Sequence, residues 1–173
     1  PPESFGEYWY QGVAEITTYD LKQVRYGEVR DGKAVLIYVT EDFSRDAQVK
    51  LDNPGGAGQD AVKVLKLNFT KKFTTGIYPY SMMRSTFTPV YLEQDPFTLK
   101  TTTSSQEWCG HAFTQLNLQG DQYRVRKFSY FESEGDPDFF IEHAVLEDEI
   151  WNLIRLAPDR LPEGPFQIIP GTL

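Results

Sequence analysis

The sequence predicts a mainly β protein: a strongly curved antiparallel sheet or partly closed β-barrel with one C-terminal helix, all in a single domain spanning residues 1–173. Three observations lead there. Aromatic content is 14%, with 12 Phe, 10 Tyr and 3 Trp, and such side chains favour pleated, half-buried surfaces. Strand-like runs follow one another almost without interruption, separated by Gly- and Asp-containing turns. A helical hydrophobic period occurs once, near the C-terminus. Closure of the sheet would remove the exposed edges that so much strand creates.

Taken in order, "YWYQGVAEITTYDL" (8–21) is rich in aromatic and β-branched residues and reads as the first strand. "KAVLIYVTEDF" (33–43) reads as the second, and "RDGK" (30–33) between them supplies the Asp-Gly pair of a tight hairpin turn. "NPGGAGQD" (53–60) is a loop. A phosphate-cradling loop would need Gly-Lys-Ser/Thr before a helix, and here Gly58 is followed by Gln59, Asp60 and Ala61. "VKVLKLNFTKKFTTG" (62–76), "SMMRSTFTPVYL" (81–92), "FTLKTTTSSQEW" (97–108), "CGHAFTQLNL" (109–118) and "QYRVRKFSYFES" (122–133) continue the series. "QGDQ" (119–122) turns a second hairpin over 112–131. After "EGDPD" (134–138) the pattern changes. "VLEDEIWNLIRLAP" (145–158) spaces Leu146, Ile150, Leu153 and Ile154 as on a helix, with Glu147 and Asp148 at its start, Arg155 near its end and Pro158 stopping it. "LPEGPFQIIPGTL" (161–173) reads as an extended surface tail.

Bulk properties exclude several function classes. A formal net charge of −8 disfavours phosphate backbones and anionic headgroups, so no nucleic-acid partner is expected. Arg124, Arg126 and Lys127 form the densest basic group and read as the solvated edge of a strand. No apolar run reaches membrane-spanning length, and no cofactor signature is present. One cysteine rules out an internal disulfide. Pro1-Pro2-Glu3, without an initiator Met, reads as a processed start.

The chemistry-bearing stretch is "EWCGHAF" (107–113). A dithiol exchange site would need a second Cys where Ala112 stands, and a helix start behind the thiol. In a regular strand Glu107, Cys109, His111 and Phe113 share one face, with Trp108, Gly110 and Ala112 on the other. A carboxylate, a thiol and an imidazole on one face make an activated nucleophile or part of a metal site. The same letters suit a packed strand in which Cys109 is a small hydrophobe and Gly110 allows a close approach. His143 is the other histidine. If its strand lies alongside, His111, His143, Cys109 and one of Glu107, Glu142 or Glu147 form a zinc or copper set by type. The candidate ligand or metal residues are therefore Glu107, Trp108, Cys109, His111, Glu142 and His143.

"SSQEWCGHAFTQLN", "SYFESEGD" and "LEDEIWNLIRLAPDRLPEGP" together resemble an uncharacterised family of Gram-negative exported proteins. Some of its members carry a transferred label of septum formation inhibitor (Maf). Maf-type nucleotide pyrophosphatases have a Ser-x-Ser-Pro-Arg-Arg segment near their start and a mixed α/β pattern; this chain has neither, so that activity is not expected. The layout is also similar to Lol-type lipoprotein-carrier half-barrels, in which a curved sheet wraps a helix and binds acyl chains. The aromatic-rich strands and the lack of a catalytic constellation, together with this resemblance, lead to the expectation of a periplasmic or envelope-associated, non-catalytic module. Its curved sheet would enclose an apolar groove that holds a lipid-like or other hydrophobic small molecule, or that docks an envelope protein. The alternatives are a metal- or thiol-dependent enzyme using Cys109 and His111, and a structural interaction domain.

Overall fold

A computed structural model describes residues 4–172; the processed start read at Pro1-Pro2-Glu3 lies outside them. Strand accounts for 54% of the structure and helix for 13%. Eight strands form one antiparallel meander in chain order: β1 (Glu15–Arg25), β2 (Glu28–Ser44), β3 (Ala61–Thr75), β4 (Tyr78–Pro89), β5 (Lys100–Glu107), β6 (Gly110–Gln119), β7 (Gln122–Ser129) and β8 (Asp138–Glu142). Helix α1 (Phe5–Trp9) precedes them; β9 (Val145–Leu146), α2 (Glu149–Leu156) and β10 (Ile168–Ile169) follow. The sheet is open, with β1 and β8 as its edges, and it is neither closed nor strongly curled. No helix among the described residues is long and apolar enough to cross a membrane.

Alternation makes the inner face. Leu36 and Tyr38 on β2 stand opposite Phe69 and Leu67 on β3, and α2 and α1 pack over them. Tyr38, Leu65, Leu67, Val90 and Leu156 are at most 1% exposed, so side chains fill the space between helix and sheet. On the outer face the 45–60 loop folds back at one end. Gln48 there donates to Leu118 O at 2.7 Å, accepts from Asn117 Nδ2 at 2.6 Å, and covers a cluster of Phe43, Val62, Val64 and Leu99.

Three expectations change. The run 8–21 is not all strand: Phe5 to Trp9 coil into α1, which sets Phe5 and Trp9 one turn apart, stacked at 5.8 Å, with Trp9 against Tyr38. The first hairpin turns at Tyr26-Gly27, both with positive φ, not at Asp31-Gly32. Gly32 lies inside β2 opposite Leu21, where an added Cβ would come within 2.3 Å of Lys72 O; its lack of a side chain serves a close backbone approach rather than a turn. The C-terminal helix is shorter than 145–158, because Val145 and Leu146 pair in parallel with Ile168 and Ile169. The tail runs over the surface, mostly exposed, and is fastened there: Ile169 is buried, and Gly171 N donates to Glu147 Oε2 at 2.7 Å.

Candidate functional site at the hairpin-tip end

The "EWCGHAF" stretch is a reversal of direction. Glu107 ends β5, Trp108 and Cys109 make the turn, and Gly110 opens β6 opposite Glu107. The turn breaks the one-face geometry expected for a continuous strand. Glu107 and Gly110 share the inner side, while His111 pairs with Gln106 on the outer one. Cys109 is exposed rather than a small buried hydrophobe. Its N–H donates to Glu107 Oε2 at 2.8 Å; desolvation and the Glu107 carboxylate push its thiol upward from the ordinary value. That shift disfavours the thiolate, the opposite of what nucleophilic activation requires. Gly110 does allow a close approach: an added Cβ would meet Tyr130 Cδ1 at 2.7 Å.

His143 is elsewhere. Glu142 pairs with Gln122 at the start of β7, so the length of β6 separates the two histidines, roughly 25 Å at the usual rise per residue. His143 stacks on Phe97 at 3.9 Å between centroids and on Tyr123 at 5.6 Å, and burial lowers its pKa. Glu142 is exposed at the end of β8, and Glu147 faces Arg84 at 3.5 Å. Among the described residues no group of three or more His, Cys, Asp or Glu side chains gathers as a metal site would require. The basic run is internally engaged: Arg124 holds Asp138 through two bonds, Arg126 donates to Asn117, and Lys127 pairs with Glu134.

What the Trp108–Cys109 turn joins is a row of neighbours. Every second connection lies at the same end of a meander, so Tyr26-Gly27, Gly76-Ile77, Trp108-Cys109 and the loop opening at Tyr130 all sit there. Each exposes one large apolar or aromatic side chain: Tyr26 is 70% exposed, Ile77 73%, Trp108 64% and Tyr130 73%. Trp108 leans edge-on against Tyr78 at 5.6 Å, and Arg25 lies over the Tyr26 ring at 4.6 Å.

The register sets these tips in a line. Asp20, Lys33, Lys72, Ser81, Gln106 and His111 form one cross-strand row. Tyr130 continues it, its N–H donating to His111 O at 3.0 Å. Beyond that row β1 runs on to Arg25, β3 to Thr75 and β5 only to Glu107, while β7 stops short at Ser129. Each hairpin is thus two residues shorter than the one before, about 6–7 Å per step across hairpins about 10 Å apart. The step is constant, so the tips recede evenly from β1 to β7. Sequence reading singled out Trp108 but missed Tyr26, Ile77 and Tyr130. A signal existed: Tyr26-Gly27 and Gly76-Ile77 place a large apolar residue in a two-residue turn, where small polar residues are usual.

The opposite end also carries exposed large side chains, among them Val49, Tyr91 and Phe97. Its connections are the folded-back 45–60 loop, the 90–99 segment tied to α1 through the Tyr10 and Tyr91 hydroxyls, and the Gly120-Asp121 turn. A depression of about 880 Å³ lies there between Phe5, Tyr91, Leu92 and Pro158. No family model matches the chain, and neither does any curated protein or solved structure.

Proposed function

We propose that this protein is a non-catalytic, envelope-associated binding module whose contact surface is the hairpin-tip end of its sheet. The observation that carries the reading is the repetition: four successive tips at one end, each presenting one exposed large apolar side chain. Single exposed hydrophobics are ordinary on soluble proteins, whereas their concentration on one surface marks contact sites. The reading keeps the non-catalytic role expected from the sequence and moves the contact from an enclosed groove to the exterior. The high thiol pKa at Cys109 and the separation of His111 from His143 support binding over thiol or metal chemistry.

Photo-crosslinking in the producing cell tests it. A benzophenone side chain replacing Ile77 or Tyr130 is expected to form adducts on irradiation, and one replacing Asp121 at the opposite end is not. Equal yield at Asp121, or none at either tip, would remove the tips as a contact surface.

A further inference from the structure

We infer that the hairpin-tip end docks on the flat, electrically neutral surface of a zwitterionic lipid bilayer; this deepens, and rests on, the reading of that end as the contact surface. Three features of the end converge on such a partner. The first is shape. A partner cleft would be matched by one protruding tip, but the register steps the four turns back by two residues at each hairpin, so their exposed side chains follow one another along the whole end rather than clustering at one point.

The second is side-chain type. Trp108, Tyr26 and Tyr130 carry an apolar ring with a polar group, the combination that settles at the headgroup level of a membrane, and Ile77 supplies a purely apolar point. Directly behind the tips the strands mix polar residues, Gln23, Thr74, Ser105 and Gln106, with the exposed Val24, Val29, Tyr78 and Phe128. The contact is shallow: the strand ladders stay outside the hydrocarbon, where the unpaired edge groups of β1 and β8 would be costly.

The third is charge. The segments that build this end, 20–33, 70–83, 104–114 and 127–137, hold seven basic and seven acidic side chains, so the whole net charge of −8 lies in the rest of the chain. Within the end, Lys22 pairs with Asp31, Arg30 with Glu28, Lys33 with Asp20 and Lys127 with Glu134. Arg25, Lys71 and Lys72 have no ion pair among the described residues, but the end as a whole is neutral and attracts anionic headgroups little, and the acidic body behind it is repelled by them.

Vesicle co-sedimentation with tryptophan fluorescence tests the inference. On phosphatidylcholine vesicles the protein is expected to sediment, with a blue shift from Trp108, since Trp9 is already buried and Trp151, 38% exposed, lies on α2 away from the tips. Trp108→Ser removes the shift. Ile77→Ser combined with Tyr130→Ser lowers the partition coefficient at least about tenfold, while Val49→Ser at the opposite end leaves it unchanged; all three positions are exposed, so the variants keep their fold. Absence of sedimentation, indifference to the tip substitutions, or binding that appears only with anionic phosphatidylglycerol would each overturn it. Protein adducts from position 77 without vesicle binding would discard the lipid and keep the contact surface; failure of both experiments discards both.

Discussion

Two glycines in this sheet are needed for different reasons, and the difference is measurable. At Gly32 the atom in the way of a Cβ is the Lys72 carbonyl, 2.3 Å distant and fixed in the β2–β3 ladder; at Gly110 it is the ring of Tyr130, an exposed side chain at a loop. Backbone cannot yield without breaking ladder bonds, whereas a ring can swing away. Gly32→Ala is therefore expected to lower unfolding stability by about 2–3 kcal/mol, and Gly110→Ala by about 1 kcal/mol or less, in urea denaturation. Equal losses would show that the close approach at Gly32 is not rigid. Cys109 offers a second local test. Because the Glu107 carboxylate helps to hold its thiol in the protonated form, Glu107→Gln should lower the thiol pKa and speed alkylation by iodoacetamide at pH 8. A slower reaction would mean that the N–H contact from Cys109 to Glu107 acts by shaping the turn, not by charge.

Helix α2 buries two polar side chains beside part of the apolar stripe its spacing suggests, with Leu153 packed against the core. Glu149, Asn152 and Leu156 face the sheet, while Ile154 is 45% exposed. Asn152 donates to Leu65 O at 3.0 Å and to Thr88 Oγ1 at 2.9 Å, so Asn152→Ala should cost about 1–3 kcal/mol by stranding those acceptors, read as a lower urea midpoint. Glu149 gives a pH dependence. Burial raises its pKa, and its carboxylate accepts from Leu146 N at 3.0 Å. A folded-state pKa above the unfolded one means that this group favours folding most below its unfolded value, and that the advantage is lost as pH rises through the folded value. Glu149→Gln, which keeps an acceptor oxygen, should therefore raise Tm at pH 8 and leave it nearly unchanged at pH 4. An equal shift at both pH values would make the effect one of packing.

These elements also mark where the sequence was legible. The strand at 33–43 is legible as a short continuous apolar run, whereas 62–76 is ambiguous between strand and helix until its β-branched residues and Thr-rich end favour strand. The first turn is not legible in this way: Tyr26-Gly27 and Asp31-Gly32 are both plausible reversals, and only the packing of β2 on β3 chooses between them. The split of Glu107 from His111 follows from a turn that two-residue periodicity cannot see. The tip line is less visible still, since it is a property of register across eight strands and of no single segment.

For the molecule as a whole, sequential pairing makes every ladder a contact between chain neighbours, but the ladders are unequally protected. β3 and β4 have a strand on each side and lie beneath α2, whose Asn152 bonds to both. β1 has one partner, β2, and from Asp20 to Arg25 none of its side chains is fully buried. At the other edge β8 has five residues and pairs only with β7. Local opening free energies rise with buried contacts and with the number of flanking strands. Amide hydrogen exchange should therefore be slowest in β3 and β4 and fall toward both edges, with the 21–25 segment of β1 fastest among the long strands. Because that segment leads into the Tyr26 tip, it is also the place where contact at the tips should register. On phosphatidylcholine vesicles its exchange should slow while β3 and β4 stay as they were. Slowing spread evenly over the sheet would instead indicate global stabilisation, and a flat profile in the free protein would mean that the edges are held by contacts other than their ladders.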